Sequence, residues 1–253
     1  METHAHDLHK APGHGWKHYL FEFFMLFLAV FCGFLAENVR EHVVEQSRAN
    51  EYAKNLCDEL KGDTVALNNL IAYTQKLTQR LDTLSMLANE KLPGTSNGML
   101  YYYSNFAANM EQFSSISSAI EELKSSGNLR IIKTNVAQKM DDYDKQIKLL
   151  GNEYTLSRTE YETLNQLRFK IFDYLFSVKI YPFPGTHISP DSVFKLNPPL
   201  LNDDPKLMKE FANWSKFASV NYTGEIKMWL EPLNKTATEL IALLEKEYDL
   251  KKE

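Results

Sequence analysis

The chain has 253 residues, a formal net charge of −5 and 24% charged residues. This acidic balance predicts no nucleic-acid partner, and a hydrophobic content of 44% excludes a wholly disordered chain. With 10 glycines and 2 cysteines, the composition also argues against a turn-rich β architecture and excludes a disulfide framework. A mainly helical protein is therefore expected.

Residues 1–18 form a polar tail that holds five of the seven histidines. Neighbouring imidazoles can bind zinc, copper or nickel, but the spacings here match no closed tetrahedral zinc signature. A weak metal site and a merely polar tail are both open interpretations, and no cofactor is predicted. The histidines in question are His4, His6, His9, His14 and His18.

Residues 19–36 are apolar apart from one ionisable side chain, Glu22. At about 1.5 Å per residue this stretch covers roughly 27 Å, close to the hydrocarbon thickness of a bilayer. Bulky Phe34 lies where a signal peptide needs a small residue, so an uncleaved transmembrane helix is expected. No later stretch is apolar enough to cross again, which leaves residues 37–253 on one side of the lipid bilayer.

The basic residues around this span barely favour either orientation, because Lys10 and Lys17 precede it and Arg40, Arg48 and Lys54 follow it. A signal-anchor with a short N-terminal tail commonly keeps that tail inside the cell. We therefore expect a bacterial inner-membrane protein with a cytoplasmic N-terminus and a periplasmic main domain.

One face of the transmembrane helix carries an acidic residue and small residues within about 40° of a common line. A small-xxx-small pair lets a second helix approach closely, so this face predicts helix packing. Two alternatives stay open: Glu22 simply lies at the wet interface, or it takes part in proton or ion translocation. The face comprises Glu22, Leu26, Ala29, Gly33 and Ala36.

Two long helices are predicted after the span, over residues 37–90 and 133–178, with a bend at Gly62–Thr64. The first carries a heptad pattern at 56, 60, 63, 67, 70, 74, 77, 81, 84 and 88. The second carries the same 4-3 spacing at 136, 140, 143, 147, 150, 154, 157, 161, 164, 168, 171, 175 and 178. The matching patterns predict an all-α fold: an elongated antiparallel helical bundle or coiled coil that continues the transmembrane helix.

Residues 181–205 hold six of the nine prolines and are predicted to be irregular. An irregular segment of this length is often functional, so it is a candidate partner-binding loop around Phe183, His187 and Phe194. Helices follow over residues 205–250, with an interruption at Gly224 and a kink at Pro232.

Two stretches carry a resemblance to a known family. They are EFFMLFLAVFCGFLAENVREH with DELKGDT, and SSAIEELKSSGNLRIIKT. They resemble a domain of unknown function found in single-pass, His-rich-tailed inner-membrane proteins of Bacteroidota. The resemblance implies an inner-membrane anchor and a helical periplasmic domain, and it implies no activity.

The sequence contains no glycine-rich phosphate loop, zinc-protease motif or nucleophile elbow, so an enzyme is not expected. We expect a membrane-anchored scaffold or accessory subunit that forms a homo-oligomer or docks on other inner-membrane protein subunits. The alternative is a periplasmic sensor module. It would have to signal through a partner protein, because a tail of eighteen residues is too short for an output domain.

Overall fold

A computed structural model describes residues 15–90, 95–107, 111–182 and 188–250. Every regular element within these ranges is helical, as the composition predicts. The chain divides into two compact units, Met1–Glu51 and Tyr52–Glu253. The elements in chain order are α1 (Trp16–Asn89), α2 (Asn97–Ser104), α3 (Ser118–Ser125), a 3₁₀ turn (Asn128–Ile131), α4 (Thr134–Ile171), α5 (Tyr174–Ile180), α6 (Pro190–Leu196), α7 (Pro205–Glu225), a π turn (Ile226–Leu230) and α8 (Glu231–Glu247).

The first helix, α1, runs for 74 residues and includes both the apolar stretch and the predicted helix 37–90. The helix is continuous through Gly62–Thr64, where a bend is expected, and the polar side chains there are hydrogen-bonded. The Thr64 hydroxyl donates to the Lys61 carbonyl at 2.8 Å, and the Asp63 carboxylate accepts from groups on other segments.

The core of the second unit is built on the predicted heptad pattern of α1. All ten positions of that pattern are buried: Leu56, Leu60, Asp63, Leu67, Leu70, Thr74, Leu77, Leu81, Leu84 and Ala88. Most of the α4 pattern is buried too: Val136, Met140, Tyr143, Leu150, Tyr154, Leu164, Arg168 and Ile171. Residues separated by a heptad interval face one side of a helix, which explains why these positions pack together.

The two long helices run in the same direction, so their predicted antiparallel pairing is wrong. The Tyr143 hydroxyl, near the start of α4, donates to Asp63 at 2.7 Å, while Leu84 and Ile171 share one buried cluster further along both helices. Between α1 and α4 the chain comes back to the middle of α1, because Ile116 N–H donates to the Asp63 carboxylate at 3.0 Å. It can therefore enter α4 in the same direction as α1.

The helix that runs opposite to α1 and α4 is the C-terminal one, formed by α7 and α8. Ser85 donates to the Ala212 carbonyl at 2.8 Å, and Asn234 donates to Asn68 at 2.8 Å, so the order of contacts along α1 is reversed. On α4, Gln146 donates to Thr236 at 3.0 Å. The C-terminal helices therefore complete the core between α1 and α4.

The fourth helix ends at Ile171 instead of Val178. Phe172 is extended and buried, and the Asp173 side chain accepts from Leu175 N–H at 2.9 Å, which starts α5 as a new helix. Because of this break, Leu175 is 77% exposed and Val178 is 40% exposed, whereas the heptad pattern places both in the core.

The proline-rich segment is less irregular than predicted, because it contains α6. Pro190 lies in the first turn of that helix, where its missing N–H breaks no hydrogen bond. The segment is held to α2 at close range: Ser96 donates to the Phe194 carbonyl at 3.0 Å, and Asn97 donates to the Pro198 carbonyl at 2.9 Å.

The C-terminal helix begins as its sequence predicts, with Asp204 accepting from Leu207 N–H and Pro205 in the first turn. Neither Gly224 nor Pro232 stops it. A π turn lies between them, in which Glu231 N–H bonds to the Ile226 carbonyl five residues earlier. Pro232 has no N–H and cannot donate to the carbonyl four residues earlier. The wider π turn beside it accommodates this missing hydrogen bond, so the helix continues.

Candidate functional site: the apolar helix and the polar clusters

Helix α1 contains the apolar stretch that forms the first candidate site. Within the part of the chain that the structure describes, it is the one helix long and apolar enough to cross a membrane, and none of its apolar window is buried against other residues. Exposure on all sides is unlike the core helix of a water-soluble fold and is compatible with a membrane anchor.

The predicted packing face lies along one side of this helix, since its members follow at intervals of four, three, four and three residues. All five are exposed: Glu22, Leu26, Ala29, Gly33 and Ala36. A Cβ atom added at Gly33 would meet nothing within 4 Å, so this position is an open notch on the helix surface.

A different side of the same helix carries a ladder of aromatic rings. Phe23 and Phe27 stack with ring centroids 6.4 Å apart, and Phe27 and Phe31 follow at 6.0 Å. These large side chains fill their side of the helix, whereas Ala29 and Gly33 leave theirs empty. The helix therefore has one bulky face and one notched face.

His18 is the one member of the predicted metal group within the described residues, and it lies one turn before Glu22. Its Nε2 is 3.4 Å from Glu22 Oε1, and both side chains are well exposed. His4, His6, His9 and His14 lie outside the described residues. Where side chains are described, no three His, Cys, Asp or Glu residues converge as a metal site would require.

The predicted partner-binding loop is placed only in part, because Phe183 and His187 lie outside the described residues. Phe194 belongs to α6 and packs against α2, with ring centroids 5.4 Å from Tyr102 and 6.3 Å from Tyr103. Its ring therefore contributes to holding α6 on α2.

The sequence identifies Asp63 only as a polar member of a heptad pattern, but the structure gives it a role. It is 1% exposed and accepts from Ser115 Oγ, from Ile116 N–H at 3.0 Å and from Tyr143 Oη at 2.7 Å. Burial and the adjacent Asp63 carboxylate raise the pKa of the Tyr143 hydroxyl, so it stays protonated and donates. Asp63 thus ties the returning chain to α1 and α4.

A second polar cluster, at the end of α7, has no sequence signal. A cavity of about 30 Å³, room for a water-sized group, is lined in part by Glu153, Glu160, Tyr161, Tyr222 and Glu225. Burial raises the pKa of Glu225 to about 7, the Tyr154 hydroxyl opposes that rise, and the Glu153 charge adds to it. Glu225 thus changes charge near neutral pH.

No family model matches the chain, and neither a curated protein nor a solved structure matches it. The resemblance to the Bacteroidota inner-membrane family therefore stays a prediction.

Proposed function

We propose that the chain is a membrane-anchored helical scaffold or accessory subunit, which self-associates or docks on a larger inner-membrane complex. The observation that supports this most is the exposed apolar helix with a notched face, which gives both an anchor and a packing surface. In this proposal the N-terminus is cytoplasmic and residues 37–253 are periplasmic.

The notched face supports association because it is poorly suited to lipid. Acyl chains gain nothing from a carboxylate such as Glu22 and fill the notch at Gly33 badly, whereas another helix can approach there closely. The Phe23–Phe31 ladder on a different side offers the smooth apolar surface that lipid tails contact.

The second unit supports a scaffolding role through its architecture. We propose that α1, α4 and the α7–α8 helix form an elongated three-helix bundle, with α7–α8 antiparallel to the other two. Its core depends on packed leucines together with satisfied polar groups such as Asp63, an arrangement that gives a stiff module. A stiff module can present a fixed surface to a partner.

The proposal is tested by crosslinking single cysteines introduced at 29 and 33 in the full chain, in native membranes, with Cys32 replaced by serine. We expect an adduct with a second copy or with a partner subunit. Gly33→Leu should fill the notch and weaken association about tenfold, which corresponds to a loss of about 1.4 kcal/mol in helix packing. For this variant the crosslink is read at position 29.

Phe27→Leu is the matched control, since it changes a side chain on the bulky face and should leave the adduct at position 29 intact. Absence of any adduct at both 29 and 33, or equal adduct yield in Gly33→Leu and Phe27→Leu, would contradict packing through this face. Glu22→Gln reports separately on the carboxylate: a loss of adduct indicates a partner hydrogen-bond donor, and no change indicates a wet interface.

A further inference from the structure

Arg168 on α4 is a buried cation without a carboxylate partner. Its side chain is 6% exposed, its guanidinium donates to Asn105 Oδ1 at 3.2 Å, and its carbon Cζ lies 5.9 Å from the centre of the Tyr174 ring. No carboxylate of the described residues pairs with it, although a buried charge without a counter-charge is costly. Burial accordingly lowers the pKa of this guanidinium.

The guanidinium still has donors to spare. Arginine carries five N–H donors, and the bond to Asn105 uses one of them. Its side chain makes no second hydrogen bond to the described residues, and neither of its other two nitrogens is fully buried without a partner. Each of these nitrogens therefore keeps a small contact with solvent. Arg168 is therefore a recessed cation with free donors that an incoming group can reach.

An exposed apolar surface adjoins this cation. Phe169 is 52% exposed, Tyr174 51%, Leu175 77% and Val178 40%, and we refer to these four residues as the α5 patch. The Phe169 and Tyr174 rings meet edge to face at 5.4 Å, and Tyr174 and Val178 lie one turn apart on α5. Tyr174 also contacts Arg168, so the patch and the cation form one surface.

We propose that the α5 patch is a docking surface for an apolar segment of a partner protein that carries a carboxylate, with Arg168 as the group that binds it. This deepens the proposed accessory role and rests on it. A carboxylate that reaches Arg168 beside the apolar patch supplies the missing counter-charge and gives the interface its specificity. Aromatic residues and arginine dominate the binding energy of protein interfaces.

The recessed position of the guanidinium favours a protein segment over a lipid surface. A single aspartate or glutamate side chain can project into a recess, whereas headgroups are presented as a layer and reach protruding lysines more readily. A bidentate carboxylate also matches the fork geometry of arginine.

The test uses the full chain in nanodiscs and two sets of short fluorescent peptides of leucine, phenylalanine and alanine. One set carries a central aspartate and the other carries asparagine in its place. We expect the aspartate peptides to bind about tenfold more tightly, as a charge-assisted bond in a recess should give. Arg168→Met should abolish that preference, and Leu175→Glu should weaken both sets.

Val65→Glu is the matched control for Leu175→Glu, because Val65 is 60% exposed on α1 outside the patch, and it should leave binding unchanged. Circular dichroism establishes that each variant is folded. If Arg168→Met does not fold, two other measurements test the proposal. They are the ratio of aspartate-peptide to asparagine-peptide affinity in the wild type and the effect of Leu175→Glu on binding.

Equal binding of the two peptide sets, or no binding of either, overturns the proposal. Two other results also overturn it: Leu175-dependent binding to phosphatidylglycerol vesicles without peptide binding, and dimer formation that Leu175→Glu abolishes. Gly33→Leu should not alter peptide binding, because the transmembrane face and the α5 patch are tested separately. If the peptides do not bind, the proposed association through the transmembrane helix is unaffected. If crosslinking at 29 and 33 fails, the peptide experiment still tests the α5 patch.

Discussion

Two acidic residues, the buried Asp63 and the half-buried Glu225, differ in what replaces their contact with water. Asp63 accepts from a hydroxyl, a phenol and a backbone N–H, which together replace its hydration. Glu225 faces Tyr154 and Tyr222 beside two further acids, Glu153 and Glu160, and no cation contributes to its pKa. Burial therefore disfavours the charged form of Glu225, and no cation offsets that effect.

We predict that, because of Glu225, the protein loses stability as the pH rises from 4.5 to about 7. The pKa of this carboxyl is about 7 in the folded chain against 4.5 ordinarily, so the folded state binds a proton that the unfolded state has released. The free energy of unfolding should fall between those values, by on the order of 3 kcal/mol in all. Urea denaturation of wild type from pH 4.5 to 8 measures this.

Glu225→Gln should remove most of that slope and stabilise the protein at pH 8, since the amide is never charged. Glu210→Gln, an exposed position on the same helix, is the control and should keep the wild-type profile. A pH profile that is identical in wild type and Glu225→Gln would show that the carboxyl is not held neutral.

We predict that Leu67→Asp destabilises the fold strongly, whereas Val65→Asp does not. Leu67 is 0% exposed at a heptad position, and Val65, two residues away on the same helix, is 60% exposed. An unpaired carboxylate in the core should cost at least about 4 kcal/mol, against about 0.5 kcal/mol or less at the surface. Thermal melting of the two variants measures the contrast, and equal melting temperatures would mean that this side of α1 is not packed.

At the scale of helices, the 4-3 heptad spacing identifies buried positions well but says nothing of direction. It places all ten pattern residues of α1 in the core, because a heptad interval keeps side chains on one face whatever lies opposite. The same spacing fits a parallel or an antiparallel neighbour, so the relative direction of α1 and α4 could not be predicted. The return of the chain through Ile116 settles it.

The end of α4 shows how a local signal can override periodicity. Leu175 and Val178 continue the heptad spacing, yet Asp173 caps a new helix and turns both outward. An aspartate after buried Phe172 is a recognisable helix start, but a pattern continuous in spacing hides it. The buried cation Arg168 could not be predicted as a binding group either, because in the sequence it is only a polar residue at a heptad core position.

The contact between α2 and α6 predicts opposite effects for two glycines. A Cβ atom at Gly98 would lie 2.2 Å from the Val193 carbonyl oxygen, whereas one at Gly151 on α4 would meet nothing within 4 Å. Gly98→Ala should therefore cost about 1 to 3 kcal/mol by forcing the two helices apart. Gly151→Ala should stabilise by up to about 1 kcal/mol through helix propensity.

Urea denaturation of both alanine variants against wild type measures these effects. Since each change adds one methyl group, the comparison isolates the space around the glycine. If Gly98→Ala were as stable as Gly151→Ala, α2 and α6 would not approach each other as closely as the structure has them.

At the scale of the whole chain, we predict that the second unit lies on the periplasmic side. Alkaline phosphatase fused after Glu253 should be active, because it folds only where its disulfides form. A cytoplasmic reporter such as β-galactosidase at the same site is the matched control and should be inactive. The reverse pair of activities would put residues 37–253 in the cytoplasm.

The packing of the C-terminal α7–α8 helix on α1 has a consequence for how the protein is made. Ser85 on α1 meets Ala212, 127 positions later in the chain. At roughly 5–20 residues per second, a ribosome needs on the order of ten seconds to bridge that gap. Throughout that interval, the leucines of α1 have no α7–α8 helix to cover them. The nascent chain is thus expected to depend on a chaperone, and truncations that end before Pro205 should aggregate.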